Sequence, residues 1–509
     1  MAAIRRFPRC LAGLGLLIVA FAAGAADWPQ YRGPNFDGSS SEALRTNWAA
    51  RPPAQVWRRT ISPGWSSPVV AGGRVFTLVR RHGGEHCLAL DAGTGAELWA
   101  RAVDAANYDN LAGYDDNIDG PRSTPSVDGD RVYVFSSFLK LHCLRADTGE
   151  VIWSRDFVAE FPGTSVISWQ NAASPLVVGD LIYVNSNVGS QRLVALRKND
   201  GTTVWARHGD GMTHATPAWA TIHGVPQAVF LTMSGLVGVA PDSGDVLWRY
   251  SFTPSGTSTA ASPIVAGDRV YASAAYGRGA WNARIVQAGA AFSVAQAQFI
   301  QATEFQNHWA TPVHHEGVLY SIVERSSRSL ACFDLAGRTN RWRTSSVGSG
   351  NPGFGSVIKV GGMILVLTEG GELVLVQPDS ARYVERGRYQ ALTAYCWNNP
   401  AFANGRLYAR SSSEIVALDL APETQPLPWL KVAGVPAPGG LRLTLGGASG
   451  EPLGAADAAR VEVQKAATFA RGTTAWQPQA VAWSATNGVL EATLPTGAGT
   501  EFLRVRARP

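Results

Sequence analysis

Apolar and polar positions alternate with period two through most of this chain, in short runs broken by glycine-centred turns. Val132 with Val134, and Leu181 with Tyr183, are examples of apolar residues spaced to fall on one face. Such alternation predicts β-strands that bury one side. The runs also repeat. Ser67-Pro68-Val69-Val70-Ala71-Gly72-Gly73-Arg74-Val75-Phe76 returns as Thr124-Pro125-Ser126-Val127-Asp128-Gly129-Asp130-Arg131-Val132-Tyr133. The same Ser/Thr-Pro anchor stands at Ser174-Pro175, Thr216-Pro217, Ser262-Pro263 and Thr311-Pro312, with weaker copies at Gly355-Ser356 and Asn399-Pro400. Counting anchors gives eight units.

The second half of each unit reads as another hairpin. Its clearest form is Ala89-Leu90-Asp91-Ala92-Gly93-Thr94-Gly95-Ala96-Glu97-Leu98-Trp99, echoed by phrases ending at Trp153, Trp205 and Trp248. The Asp bonds its own turn, and the Gly takes the left-handed conformation that closes it. The Trp then leaves the outer strand at a fixed offset, where its area can cover a seam between units. Four strands per unit, eight times over, predict an all-β fold: an eight-bladed β-propeller. The last unit, residues 397–420, lacks an outer strand. Gln55-Val56-Trp57-Arg58-Arg59-Thr60 matches the outer strands of other units, so an N-terminal strand is expected to close the ring.

Two units break the pattern. The fifth, residues 261–304, has Ala- and Gln-rich strands and no Asp-Thr-Gly-Trp phrase; the seventh, residues 354–388, has Pro378-Asp379-Ser380 but no Trp. Pro426, Pro428, Pro436 and Pro438 read as a linker, and residues 441–508 as the strands of a small β-sandwich-like domain. The expected organisation is a leader over 1–25, a propeller over 26–424 and an appendage over 425–509. The leader has basic Arg5, Arg6 and Arg9, an apolar run at 11–21 and a small-residue cleavage site near Ala25. It is too short to span a bilayer, so the mature chain is expected in the periplasm or secreted, without a membrane span.

Charge and cysteines narrow the field. Three of the formal charges behind the net +5 lie in the leader, leaving a nearly neutral chain with no nucleic-acid surface. Cys87, Cys143 and Cys332 sit at equivalent repeat positions, as small buried residues rather than a disulfide framework. There is no Cys-x-x-Cys-His for covalent haem and no zinc-type cysteine pairing.

Several phrases resemble a known family. Asp27-Trp28-Pro29-Gln30-Tyr31-Arg32-Gly33-Pro34-Asn35-Phe36-Asp37-Gly38 is similar to the opening of exported pyrroloquinoline quinone (PQQ)-like propeller proteins. Gly120-Pro121-Arg122-Ser123-Thr124-Pro125 resembles a second phrase of that group. The Ala-x-Asp-x-x-Thr-Gly-x-x-x-Trp unit resembles the repeat of quinoprotein alcohol dehydrogenases and of the outer-membrane-assembly lipoprotein. The resemblance covers residues 27–420 and implies the fold. It implies two different activities: oxidation of alcohols or sugars with PQQ and calcium, or scaffolding without a cofactor. The adjacent cysteine pair of many quinoprotein alcohol dehydrogenases is absent, as is a lipid-attachment cysteine.

In a propeller the axial funnel is the default ligand site. The position three before each anchor should start the innermost strand there, giving Trp65, Arg122, Ala172, His214, Ala260, Trp309, Gly353 and Trp397, with Asn171, His308 and Asn398 as neighbours. Of these, Trp65, Arg122, Asn171, His214, Trp309 and Trp397 are candidate cofactor- or ligand-binding residues. Tryptophan faces could stack on a flat ring and Arg122 could fork onto a carboxylate, which suits PQQ, another small anionic or aromatic ligand, or a peptide end. The bland alternative is tryptophans that plug the channel. Asp115, Asn117 and Asp119, followed by Gly120, match the front of a calcium loop, although Ser126 stands where the closing glutamate belongs. An acidic solvated loop is the competing reading.

No residue stands out as catalytic. His308 and His214 lie near the funnel, but a lone strand histidine more often bonds structurally. His314-His315-Glu316 falls at a hairpin turn and should be idle. The leading expectation is a propeller acting by binding, as scaffold or receptor for a ligand or protein partner. The alternatives are a PQQ- and calcium-dependent alcohol or sugar dehydrogenase, with Glu304 as a further carboxylate, and carbohydrate or surface binding through the C-terminal domain.

Overall fold

The computed structural model describes residues 27–108, 118–161, 165–254, 259–324, 327–422, 430–437, 440–447, 453–466, 477–487, 489–495 and 502–507. The expected leader lies outside them, as do Asp115 and Asn117. The chain divides into two compact units, Met1–Pro422 and Glu423–Pro509.

Among the described residues, the first unit is all-β save one helical turn, Phe157–Glu160, and holds eight sheets, each with four antiparallel strands that are consecutive in sequence in the first seven. The first sheet is typical: Val69–Ala71, Arg74–Arg81, Gly84–Asp91 and Glu97–Ala105, in that spatial order. The eighth draws Ala54–Thr60 from the N-terminus onto Glu414–Asp419, with Trp57 opposite Ala417. The seventh carries an extra parallel edge, Ser39–Ser40 against Ser356–Val360. The second and third strands of each sheet are buried on both faces, so most of the core is aliphatic with a few tyrosines and phenylalanines.

The repeat phrases have structural reasons that link sheet to sheet. At five of the joints an anchor hydroxyl accepts a backbone N–H from the anchor of the preceding sheet. Ser67 N donates to Thr124 Oγ1 at 3.1 Å, Thr124 N to Ser174 Oγ at 2.9 Å, and Ser174 N to Thr216 Oγ1 at 2.9 Å. Asn399 N of the eighth sheet donates to Ser67 Oγ of the first at 3.0 Å. The tryptophans work on the outside. Trp57, Trp99, Trp153 and Trp205 each donate an indole N–H to a carbonyl in the next sheet's turn, Ala92, Ala146, Lys198 and Pro241. Each ring also lies flat on that turn's glycine. A Cβ at Gly149 would come within 2.6 Å of the Trp99 ring.

The irregular sheets follow from the same rule. The fifth has no such turn, but a long hairpin, Gly279–Ala288 with Ala291–Ile300. Trp248, which would have faced that turn, bonds Gln227 Oε1 in its own sheet. In the seventh, Tyr383 packs on Trp342, whose indole N–H reaches Asp379 O at 2.7 Å.

Among its described residues the second unit has two antiparallel sheets, one of four strands and one of three. Leu445, Leu453, Val461 and Leu490, with Leu443, Val463 and Leu494, make its small core, and Trp483 packs on both groups. The expected proline linker is corrected in part: Leu430–Ala437 is an edge strand that includes Pro436. An edge tolerates proline because one side of the strand needs no N–H donor. Cys87, Cys143, Cys332 and Cys396 are free and buried, and burial pushes the thiols of Cys143 and Cys332 up to about 11.

Candidate functional site

A cavity of about 340 Å³ lies within the first unit, lined by residues from all eight sheets and by Tyr31. Most lining residues precede the innermost strands, because the Ser/Thr-Pro anchors draw those segments together. Seven of the eight axial positions expected from the sequence line it; Gly353 is replaced by its neighbour Phe354. The seventh unit lacks the anchor proline, so counting back from it misplaces the position by one.

Its wall is aromatic and fixed. Trp65 and Trp397 stack with centroids 4.4 Å apart, and Trp309 lies 5.2 Å from Trp397 and 4.6 Å from Phe354. The indole N–H groups are committed: Trp65 to Asp119 Oδ1 at 3.2 Å, Trp397 to Glu369 Oε1 at 2.6 Å, and Trp309 to Phe354 O at 3.2 Å. The rings therefore offer faces to the cavity.

The charges are paired. Arg122 Nη2 donates to Asp119 Oδ1 at 2.8 Å, and Arg328 Nη2 lies 3.8 Å from Glu324 Oε1, with its guanidinium 3.7 Å above the Phe354 ring. Glu324 also faces His308, whose Nδ1 is 3.4 Å from Glu324 Oε2 but out of line for a hydrogen bond. The facing His308, and beyond it the Arg328 charge, hold the Glu324 carboxyl below its usual range against the opposing effect of burial. His214 is almost wholly buried and donates from Nε2 to Ser168 O at 3.0 Å. Burial and then the Arg122 charge push it down to about 4, so it is neutral near pH 7.

One candidate is corrected. Asn171 does not line the cavity. It is fully buried, and its amide bonds the carbonyls of Ser136 and Ala173 and the N–H of Ala173, stapling a turn. Asp119, read as a calcium ligand, accepts at Oδ1 from Trp65, Gly120 N and Arg122, while Asp115 and Asn117 lie outside the described residues. Among the described residues no group of three His, Cys, Asp or Glu is placed to hold a metal. Glu304 lies in an exposed turn outside the cavity lining, its backbone carbonyl accepting from Asn340 and Arg343. His314 and His315 are half-buried, and His314 Nε2 accepts from Gly317 N, a turn role.

Sequence reasoning missed Tyr276, Glu324 and Arg328, which reach the cavity from loops joining second and third strands. The charged stretch Glu324-Arg325-Ser326-Ser327-Arg328, unlike any other such loop, was the available signal. It also missed Tyr31. The segment from Trp28 to Arg45 crosses the sheets: Trp28 pairs with Val70, Pro29 O accepts from Val127 N, and Phe36 packs on the third and fourth sheets. Tyr31 OH then bonds Thr311 Oγ1 at 3.1 Å, and Glu42 Oε2 accepts from Gly405 N at 3.0 Å. Arg32 is buried beneath, donating to the carbonyls of Thr311, Pro312 and Asp37.

Comparison with known proteins fits this architecture. A family model described as outer membrane protein assembly factor BamB matches residues 83–344, just over half of the chain. A curated protein of that name from Moranella endobia (strain PCIT) is 24% identical over 312 residues, covering 61% of this chain; the chain spans 63% of that relative's length. Among solved structures, BamB from Moraxella catarrhalis superposes with TM-score 0.50 at 15% identity, over 72% of this chain and 97% of that one. The quinohemoprotein alcohol dehydrogenase of Comamonas testosteroni gives TM-score 0.54 at 13% identity, over 81% and 83%. At such identities the superpositions establish a shared fold and not a shared activity. The repeats, the four-stranded sheets and the family match together make this chain a member of the PQQ-repeat β-propeller family described as outer membrane protein assembly factor BamB.

Proposed function

We propose that this chain is an exported propeller of eight blades, closed by its N-terminal strand, that works by binding a ligand in its axial funnel. The assembly-factor name of its relatives supports a binding or scaffolding role in the periplasm. One observation carries the reading. The cavity is walled by rigid aromatics, and its charged lining residues cancel in pairs, Arg122 with Asp119 and Arg328 with Glu324.

That balance speaks against the dehydrogenase alternative. PQQ is polyanionic and needs an excess of cationic donors, whereas both arginines here are already neutralised. Calcium needs several hard oxygen ligands converging beside the quinone. Asp119 is engaged, and the other carboxylate on the lining, Glu324, is paired with Arg328.

The test is a titration of the mature protein with PQQ, with and without calcium, followed by tryptophan fluorescence and dye-linked alcohol oxidation. No calcium-dependent saturation and no turnover are expected. In parallel, a thermal-shift screen of neutral, anionic and cationic small molecules should find a stabilising class that acts on wild type and not on Trp309→Ala. Calcium-dependent PQQ binding that weakens in Arg122→Ala, with turnover, would overturn the proposal in favour of the enzyme. N-terminal sequencing of periplasmic material should begin near Ala26.

A further inference from the structure

We infer that the ligand of the cavity is an uncharged sugar ring of the pyranose type, an assignment that rests on the binding role proposed above. The first ground is unmet hydrogen bonding. Asn398, 3% exposed, has neither amide atom bonded to a protein group, and Asn399 Oδ1 is likewise unpartnered. His308, 5% exposed, has no partner at Nε2, and its Nδ1 faces only Glu324 Oε2, 3.4 Å away and out of line. All four residues line the cavity. Buried polar groups left without partners are costly, so such a cluster marks where a ligand supplies them.

The kind of partner follows from the kind of orphan. The cluster contains a donor on Asn398 Nδ2, acceptors on Asn398 Oδ1 and Asn399 Oδ1, and His308 Nε2, which donates or accepts according to its tautomer. A carboxylate or phosphate only accepts and an ammonium only donates, whereas each hydroxyl does both. A polyhydroxylated ligand meets a mixed set with one functional group. The aromatic walls fit the rest of such a molecule. With their N–H groups committed elsewhere, Trp309, Trp397 and Phe354 present the negative faces of their rings. The C–H faces of a pyranose are apolar and weakly positive, and pack on such surfaces. Charge selects further. Because the ion pairs of the lining cancel, an anionic sugar would gain nothing from the arginines and would meet Asp119 and Glu324. A cavity of about 340 Å³ is large enough to enclose a ring and part of a second.

A free sugar and the end of a glycan chain share this chemistry. The experiment is calorimetry and tryptophan fluorescence on the full mature chain with methyl glucopyranoside, cellobiose and a longer cello-oligosaccharide. Methyl glucuronide serves as the anionic isostere, and PQQ and indole as flat aromatic probes. The expected result is saturable binding of a neutral glycoside with a Kd of about millimolar or tighter. Binding of the glucuronide should be about tenfold weaker, and Asn398→Leu should weaken the neutral ligand by about the same factor. Thermal melts show whether Asn398→Leu is folded, and Glu324→Gln, nearly isosteric, provides an independent variant that should also weaken the neutral sugar. Preference for the longer oligosaccharide would identify the glycan end as source, and equal affinity the free sugar; either supports the assignment. Tight binding of PQQ, indole or glucuronide with none of the neutral sugars would overturn the sugar assignment while the cavity stayed a ligand site. Binding of no probe at all would overturn both readings.

Discussion

At the scale of single residues, glycine and histidine carry constraints that their repeat positions alone do not reveal. Gly129 and Gly149 both sit at positive φ, 60° and 70°, yet only Gly149 lies under a tryptophan of the neighbouring sheet. Gly129→Ala should cost about 1 kcal/mol, the penalty of a left-handed side chain in open space. Gly149→Ala adds a clash with the Trp99 ring and should cost about 2–4 kcal/mol in urea unfolding. Equal losses would show that the ring yields. His214 makes acid stability the second test. Its folded value is depressed to about 4 against an unfolded value of 6.5. The unfolded chain therefore takes up the proton first as pH falls. The contribution is complete above pH 6.5 and is lost between 6.5 and 4, amounting to about 3 kcal/mol. His86, His142, His314 and His315 are shifted in the same direction by burial and add to the slope. Unfolding midpoints measured across this window should fall steeply in wild type and less steeply in His214→Gln.

At the scale of elements, the sheets are joined twice: inside by anchor hydroxyls and outside by tryptophans. The Thr124 hydroxyl accepts from Ser67 N and its backbone N–H donates to Ser174 Oγ, so one residue ties its sheet to both neighbours. Thr124→Val keeps the shape and removes the acceptor for a buried N–H, and a loss of about 1–2 kcal/mol is expected. An unchanged midpoint would mean that the sheets are held by packing alone. The same logic explains why the Ser/Thr-Pro phrase could be read so easily. It is the sequence of a joint that must be rebuilt at nearly every sheet, with the proline ending the approach and the hydroxyl reaching back. The fifth and seventh sheets show what happens where the outer phrase is missing. The seam is then filled by a long hairpin or by Tyr383, solutions that no repeat pattern announces.

At the scale of the whole first unit, the first and eighth sheets are joined by contacts between residues more than three hundred positions apart. Arg410 of the eighth sheet is fully buried and donates to Thr77 Oγ1 and Leu78 O of the first, both at 2.9 Å, and to Ser411 O at 3.1 Å. Every partner is neutral. Arg410→Leu leaves these acceptors without a donor and should destabilise the unit by about 3 kcal/mol. If the first and eighth sheets form the closing seam, that loss should appear first as hydrogen exchange in Ala54–Thr60 and Glu414–Asp419. Uniform loss of protection across all sheets would argue against a distinct seam. The segment from Trp28 to Arg45 works on the same scale, since Tyr31 lines the cavity from a stretch that precedes all the repeats.

The sequence by itself determined the all-β architecture, the number of anchors, the partner of the N-terminal strand and most of the residues facing the cavity. It could do so because strands, turns and anchors are local, and a local solution repeated along the chain is visible as a period. Trp65, Arg122, His214, Trp309 and Trp397 were readable because each stands at the same offset from an anchor. Only the tertiary structure decided how those side chains are used. It spent Asn171 on a turn and Asp119 on Arg122, brought Glu324 and Arg328 in from a loop, and laid Tyr31 across from the N-terminus. Some of these contacts are local, as Asp119 with Arg122 and Glu324 with Arg328, and others span the chain, as Tyr31 with Thr311, but none carries the period and only assembly sets them around one cavity. The charge balance and the unmet hydrogen bonds that define the ligand therefore appear only when the sheets are assembled.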